Sequence, residues 1–314
     1  MNQTDLLETN LFAYLKLLRI DHWIKNLFML PGVAIAYSTE YVVANRNISS
    51  SEIYVLGISF VALCFASSAN YVINEWLDRT QDAKHPFKNH RVSNRYKFSS
   101  FKVFSLYLSM LLLTLLLTKY LNNKIGFYIF LLIFMGFLYN VKPFRLKDKH
   151  YLDVMSESIN NPIRFAIGWH VLISDLPVPI SAFIGFWGIG IFLMALKRYS
   201  EMSLINDPKL LGNYRKSFLY WDPQKLLIFA MVGAMVASSF IGIFLVKHRV
   251  EYILLFPMLI WIFSNYLKIS LDLAPVSYQP EMLMREKKLI FLVAALGGLF
   301  LVLTFLNVDI LGKF

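Results

Sequence analysis

Four polar residues at constant spacing, Asn70, Asn74, Asp78 and Asp82, run through the stretch NYVINEWLDRTQDAKHPFKNHR at 70–91. On a helix they form one stripe of two amides and two carboxylates. Carboxylates four residues apart suit a hard, oxygen-liganded divalent ion, and Mg²⁺ held by one or two carboxylates completes its shell with substrate phosphates and water. Directly after the stripe come Lys84, His85, Lys88, His90 and Arg91, which would neutralise phosphate charge beside such an ion. The pattern predicts a metal-bridged diphosphate site at the end of a membrane helix. The plainer reading is a solvated membrane boundary. Against it, the stripe begins at Asn70, inside an apolar run where stray polar groups are costly.

Further clusters have matching chemistry. Asp153, Glu157, Asn161 and Arg164 share one helix face inside another apolar stretch, where ionisable groups line a cavity or pair with one another. The sequence leaves both open. LKRYSE supplies Lys197, Arg198, Tyr199 and Glu201, although Lys197 and Glu201 also fit a simple surface pair. YRKSFLY adds Tyr214, Arg215, Lys216 and Tyr220. Near the start, Arg19, Trp23, Lys25 and Asn26 read either as site residues or as an interfacial anchor. Lys142, Arg145 and Lys147, in YNVKPFRLKDKHYLDV, complete a basic rim.

These residues must be positioned by membrane helices. Of 314 residues 57% are hydrophobic and 16% charged, and the mean hydropathy is +0.53, the composition of an integral membrane protein. Residues 1–23 read as a polar tail and an interfacial amphipathic helix, and 24–314 as a single transmembrane helical domain. About nine stretches have spanning length: 27–44, 54–77, 101–118, 124–140, 152–173, 179–197, 225–247, 251–270 and 288–311. The fifth is interrupted by Asn160, Asn161, Pro162 and Arg164. With the N-terminus inside, the inside segments hold 24 Lys/Arg and the outside ones six. This asymmetry predicts a multi-pass protein of the inner (cytoplasmic) membrane, with N-terminus and site on the cytoplasmic side. The net charge of +11 then needs no nucleic-acid partner. Cys64 is the only cysteine, so there is no disulfide framework. No Walker-type loop, G-x-G-x-x-G, Cys/His metal pattern or G-x-S-x-G occurs. ATPase, zinc-hydrolase and serine-hydrolase chemistry are unsupported.

The set NEWLDRTQD after an apolar helix, together with YNVKPFRLKDKHYLDV before the fifth span, resembles the UbiA superfamily of membrane prenyltransferases. Within it the chain is most similar to the polyprenyl-phosphate phosphoribosyltransferases, the decaprenyl-phosphate phosphoribose synthase branch. The branch's W-x-K-N start is matched by Trp23, Lys25, Asn26 and Pro31. Its N-x-x-x-D-x-x-x-D and H-P-x-K-x-x-R are matched by Asn74, Asp78, Asp82, His85, Pro86, Lys88 and Arg91. Its K-R-Y-x-E and R-K-S-x-x-x-Y are matched by Lys197, Arg198, Tyr199, Glu201, Arg215, Lys216, Ser217 and Tyr220. The chain departs from the branch at Glu75, Ala83 and Val92–Asn94, and around Glu157–Pro162.

The resemblance implies an all-α bundle of nine helices around a cavity open to the cytoplasm and the lipid. It implies transfer of 5-phosphoribose from phosphoribosyl pyrophosphate to a polyprenyl phosphate, with release of pyrophosphate. Mg²⁺, or Mn²⁺, would sit on Asn74, Asp78 and Asp82, which are also the catalytic candidates. Lys88, Arg91, Lys197, Tyr199 and Glu201 would bind substrate, Arg198, Arg215 and Lys216 would clamp the ribose 5-phosphate, and Lys25 and Arg164 would hold the lipid phosphate. A homo-oligomer is a further expectation of the family. Two other functions remain open. One is prenyl transfer from prenyl diphosphate to an aromatic acceptor, for which such enzymes usually carry a second Asp-rich motif where this chain has Lys197, Arg198, Tyr199 and Glu201. The other is transport along the polar faces of spans 2 and 5.

Overall fold

The computed structural model describes residues 10–83, 91–205, 207–248, 250–278 and 286–305. It is all-helical, with no strand among the described residues. Helix α1 (Leu11–Leu17) is capped by Asn10, whose Oδ1 accepts from the Ala13 amide at 2.9 Å. A 3₁₀ stretch (Ile20–Met29) then carries the chain into α2 (Leu30–Ala36) and a π turn (Tyr37–Tyr41). Helix α3 (Ser50–Asp82) starts at a capping box in which Ser49 accepts from the Glu52 amide and the Glu52 carboxylate accepts from the Ser49 amide.

The short α4 (Val92–Arg95) leads to α5 (Ser100–Thr118) and α6 (Asn123–Asn140), the latter capped by Asn122. A 3₁₀ turn (Leu146–Asp148) precedes α7 (Leu152–Ser158), α8 (Asn160–Leu172) and α9 (Ile180–Leu204). Next come α10 (Pro208–Tyr214), a 3₁₀ turn (Lys216–Leu219) and α11 (Pro223–His248). After a 3₁₀ stretch (Val250–Leu255) the chain closes with α12 (Phe256–Leu271), α13 (Pro275–Tyr278) and α14 (Lys287–Phe305).

Seven segments among the described residues are long and apolar enough to cross a membrane: α3, α5, α6, α9, α11, the pair formed by Val250–Leu255 and α12, and α14. The other two stretches anticipated as spans, 27–44 and 152–173, are broken. The first changes from 3₁₀ to α to π geometry, and the second divides into α7 and α8 at Ile159. Helix α8 is buried from Pro162 to Leu172, and α2 packs against it with Gly32 and Ala36 buried. Their meeting is backbone to backbone: a Cβ on Gly32 would lie 2.0 Å from the Phe165 carbonyl oxygen, and one on Gly168 would lie 1.9 Å from that of Met29. Small residues permit this approach, the usual device of helix pairs in lipid.

Three apolar clusters result. The largest joins α2, α3, α6 and α8 around Trp169, Phe165, Met29 and Leu63. A second joins α9, α11 and α12, and a third sets α1 and α5 against α3. The outward faces of α5, α11 and α14 remain apolar, as lipid requires, with Phe101, Phe104, Leu112, Ile228, Met235 and Phe291 exposed.

Helix α3 has 33 residues and is therefore about 50 Å long at 1.5 Å per residue. It exceeds a ~30 Å hydrocarbon core by several turns. The stripe from Asn70 to Asp82 occupies the last turns of this helix.

Candidate active site at the end of helix α3

Asn74, Asp78 and Asp82 line one cavity of ≈1060 Å³. Its polar end collects eight Lys/Arg (Arg19, Lys25, Arg91, Lys147, Arg164, Lys197, Arg198, Arg215) against five Asp/Glu, an excess that favours a polyanion. The other end is apolar: Ile189, Phe192 and Leu193 of α9, Leu259, Ile262 and Phe263 of α12, and Leu289, Ile290 and Val293 of α14. One cavity thus offers a seat for phosphates and a wall for hydrocarbon.

Asp78 is the centre of the polar end. Lys147 Nζ donates to both of its carboxylate oxygens at 2.6 Å, and Arg145 Nη2 donates to Oδ1 at 2.9 Å. Asn74 Nδ2 lies 3.3 Å from Oδ2. The Lys147 ammonium makes its third bond to Asn140 Oδ1 at 2.8 Å. Burial pushes that ammonium's pKa down to about 8, against the opposing pull of Asp78. Both cations arrive on the turn after α6, where Arg145 adopts a left-handed conformation (φ 35°) and ties down Asp148 and Gln81. Asp82 faces the same cavity but is ion-paired with Arg91. Burial lowers the pKa of that guanidinium, and Asp82 and Glu75 more than offset the effect and raise it.

A second network lies alongside. Arg198, 1% exposed, donates to Asp153 through Nε and to Glu201 through Nη1, both at 2.9 Å, and also meets Glu157 and Tyr139 Oη. Arg215 Nη1 donates to Asp153 Oδ1 at 3.0 Å and to Tyr139 Oη at 3.1 Å. Ser217 Oγ donates to Asp153 Oδ2 at 2.6 Å, and Lys197 pairs with Glu157 at 3.2 Å. Arg164 donates from Nε to Asn26 Oδ1 at 3.0 Å, joining α8 to the 3₁₀ entry segment.

Sequence reasoning and structure meet unevenly here. Lys25, Arg91, Arg164, Lys197, Arg198, Glu201 and Arg215 line the cavity with the stripe. Tyr199 is half-buried and packs on the apolar cluster of α9, α11 and α12. Lys216 is exposed and does not line the cavity. Lys88 lies outside the described residues, as do Lys84, His85 and His90. Residue type and spacing do not single out Asn140 and Tyr139, and they place Lys147 only on the rim. Their signal was a polar Tyr-Asn pair closing an apolar helix, followed by three basic residues within seven positions.

Among the described residues no group of three His, Cys, Asp or Glu gathers to hold a metal unaided. The donor set is nonetheless all oxygen, and a cation, the Lys147 ammonium, already sits between the Asp78 oxygens and Asn140. Such a set fits a hard divalent ion that takes its remaining ligands from phosphates and water.

A family model, the UbiA prenyltransferase family, matches residues 29–274. The chain belongs to that family. Its membrane bundle is the UbiA fold. A UbiA homolog from Archaeoglobus fulgidus bound to GPP and Mg²⁺ superposes with a TM-score of 0.68 at 19% identity, covering 93% of this chain and 98% of that one. Digeranylgeranylglyceryl phosphate synthase superposes at 0.59 and 16% identity, covering 94% and 98%. In sequence, this UbiA-family chain is 28% identical to the decaprenyl-phosphate phosphoribosyltransferase of Mycolicibacterium smegmatis over 213 residues. The match takes in 65% of this chain and 63% of that relative's length. Nodulation protein NoeC of Azorhizobium caulinodans is 22% identical over 233 residues, 74% of this chain and 71% of that protein. A UbiA-family protein with several apolar helices is a multi-pass membrane protein of the prenyltransferase type.

Proposed function

We propose that this UbiA-family protein transfers 5-phosphoribose from phosphoribosyl pyrophosphate to a polyprenyl phosphate in the cytoplasmic membrane, with its site facing the cytoplasm. The observation that carries the reading is the state of the acids on α7 and α9. Asp153, Glu157 and Glu201 are ion-paired with Arg198, Arg215 and Lys197, so this side of the cavity presents a dense set of cationic groups held in place by their acids. The site is built around fixed guanidinium and ammonium groups, as a donor with several phosphates and an anionic acceptor require. The 28% likeness to a decaprenyl-phosphate phosphoribosyltransferase supports the same substrates.

In this reaction the bond between the anomeric carbon and pyrophosphate breaks, and its electron pair leaves with pyrophosphate. An oxygen of the lipid phosphate forms the new bond to the same carbon. The acceptor is already ionised, so no proton is removed and no general base is needed. Asn74 and Asp78, with Asp82 beside them, would hold Mg²⁺ or Mn²⁺. When bound, the ion supplies charge stabilisation to the departing pyrophosphate. Lys147, Arg145 and Arg91 stand around the same oxygens and add donors where negative charge develops. Arg215 remains a candidate for the ribose 5-phosphate. Arg198 positions the acids around it, and Lys216, outside the cavity, drops from the clamp. Lys25 and Arg164 are assigned to the lipid phosphate, and the α9, α12 and α14 wall to its chain.

The test is transfer of label from phosphoribosyl pyrophosphate into an organic phase by purified protein with a polyprenyl phosphate and Mg²⁺, with and without chelator. Metal-dependent transfer is expected. A second reading, prenyl transfer to an aromatic acceptor, draws on the fold shared with a homolog bound to GPP and Mg²⁺. Activity only with a prenyl diphosphate and an aromatic acceptor would replace the first reading with the second.

A further inference from the structure

The Lys147 ammonium is coordinated as a bound cation would be. It sits 2.6 Å from each oxygen of Asp78 and 2.8 Å from Asn140 Oδ1, so its three donors meet three oxygens of the stripe and its neighbour. Its side chain is 3% exposed. A second cation, Arg145, lies 2.9 Å from the same carboxylate. A divalent ion approaching Asp78 in the absence of substrate therefore meets two positive groups and a carboxylate with both oxygens engaged.

We propose that Lys147 is a tethered placeholder that holds the metal seat on Asp78 while the site is empty and yields it only when a diphosphate arrives. The proposal rests on the reading of the site as a metal–diphosphate site and concerns the order in which its parts assemble. Its physical basis is charge. An incoming diphosphate brings enough negative charge to draw the ammonium off Asp78 onto a phosphate oxygen, and the freed carboxylate then accepts the divalent ion. The stem of Lys147 is flexible, and the residue is carried on the short turn Leu146–Asp148, outside the spanning helices. The Tyr139 ring centroid, 5.7 Å from Nζ, offers the ammonium a second contact as it moves. Lys147 is thus a positioning residue before substrate binds and a phosphate ligand afterwards.

The experiment is a Mn²⁺ titration of the full chain in detergent, read by the EPR signal of free Mn²⁺, with and without inorganic pyrophosphate. Wild-type protein is expected to bind Mn²⁺ weakly alone and at least ~10-fold more tightly with pyrophosphate, since the seat is contested by like charge. Lys147→Met, which removes the charge and keeps the stem, is expected to bind Mn²⁺ without pyrophosphate at least ~10-fold more tightly than wild type, with weakened pyrophosphate binding. Lys147→Arg should behave like wild type. Equal Mn²⁺ affinity of the wild type with and without pyrophosphate overturns the proposal even when no variant folds. So does an unchanged metal affinity in folded Lys147→Met, or no Mn²⁺ binding under any condition. The titration contains no sugar donor, so failure of phosphoribosyl transfer with this pattern intact would count against the substrate assignment alone.

Discussion

Asp78 carries two burdens at once, and the pairing around it changes what a mutation there reports. Its carboxylate compensates Lys147 and Arg145, two buried cations. We predict that Asp78→Ala abolishes turnover and also destabilises the protein, on the order of 3 kcal/mol, because the buried Lys147 loses its carboxylate and Arg145 keeps only Asp148. Lys147→Met added to Asp78→Ala should recover part of the loss, a coupling that thermal unfolding in detergent would measure as a double-mutant cycle. Additive losses would mean the pair is not coupled. Asp82→Ala is likewise expected to remove turnover, with Arg91 left as the stranded charge. Arg198 is the stronger structural case. Removing it leaves Asp153, Glu157 and Glu201 without their shared partner, and Arg198→Ala should cost ~3–5 kcal/mol. Arg198→Lys should not rescue it, since one ammonium cannot reproduce the planar fork that spans three carboxylates. A wild-type melting temperature in Arg198→Lys would count against this account.

At the scale of elements, the site depends on how α2 and α8 cross. Arg164 on α8 and Asn26 before α2 are joined by a 3.0 Å hydrogen bond, and the approach is set by Gly32 and Gly168. Gly168→Ala forces a methyl onto the Met29 carbonyl, so it should destabilise by about 1–3 kcal/mol or more, as overpacking does. It should also raise KM through the displaced Arg164. Gly57→Ala, where a Cβ meets nothing within 4 Å, is the control and should leave both unchanged. The same scale explains why the span count was hard to read. Composition marks 27–44 and 152–173 as apolar, but it does not encode the 3₁₀-to-α-to-π changes in the first or the break between Ser158 and Asn160 in the second, which interrupt the regular helix that a spanning length predicts.

For the whole molecule, the extent of α3 sets a simple test of orientation. Ser49 and Lys119 lie towards one membrane face, and Asp82 with the Leu146–Asp148 turn towards the other. Cys64 is buried, so single introduced cysteines report cleanly. Lys149→Cys is expected to react with a membrane-impermeant maleimide from the cytoplasmic side only, and Lys119→Cys from the opposite side only. The reverse pattern would invert the topology drawn from the Lys/Arg asymmetry.

Membrane class, helical architecture and the position of the acid–amide stripe were legible in the residues, because hydrophobic length and four-residue spacing are local properties of the chain. The sequence also located the basic segments that supply the cavity. Which charges neutralise one another was decided by the tertiary structure alone. Arg198 read as a phosphate clamp until helices 40 or more residues apart in sequence brought Asp153 and Glu157 against it. Lys147 read as rim until the turn after α6 folded it onto Asp78, 69 residues away. The physical reason is that charge pairing inside a bundle depends on three-dimensional distance and burial, which spacing along one helix does not encode.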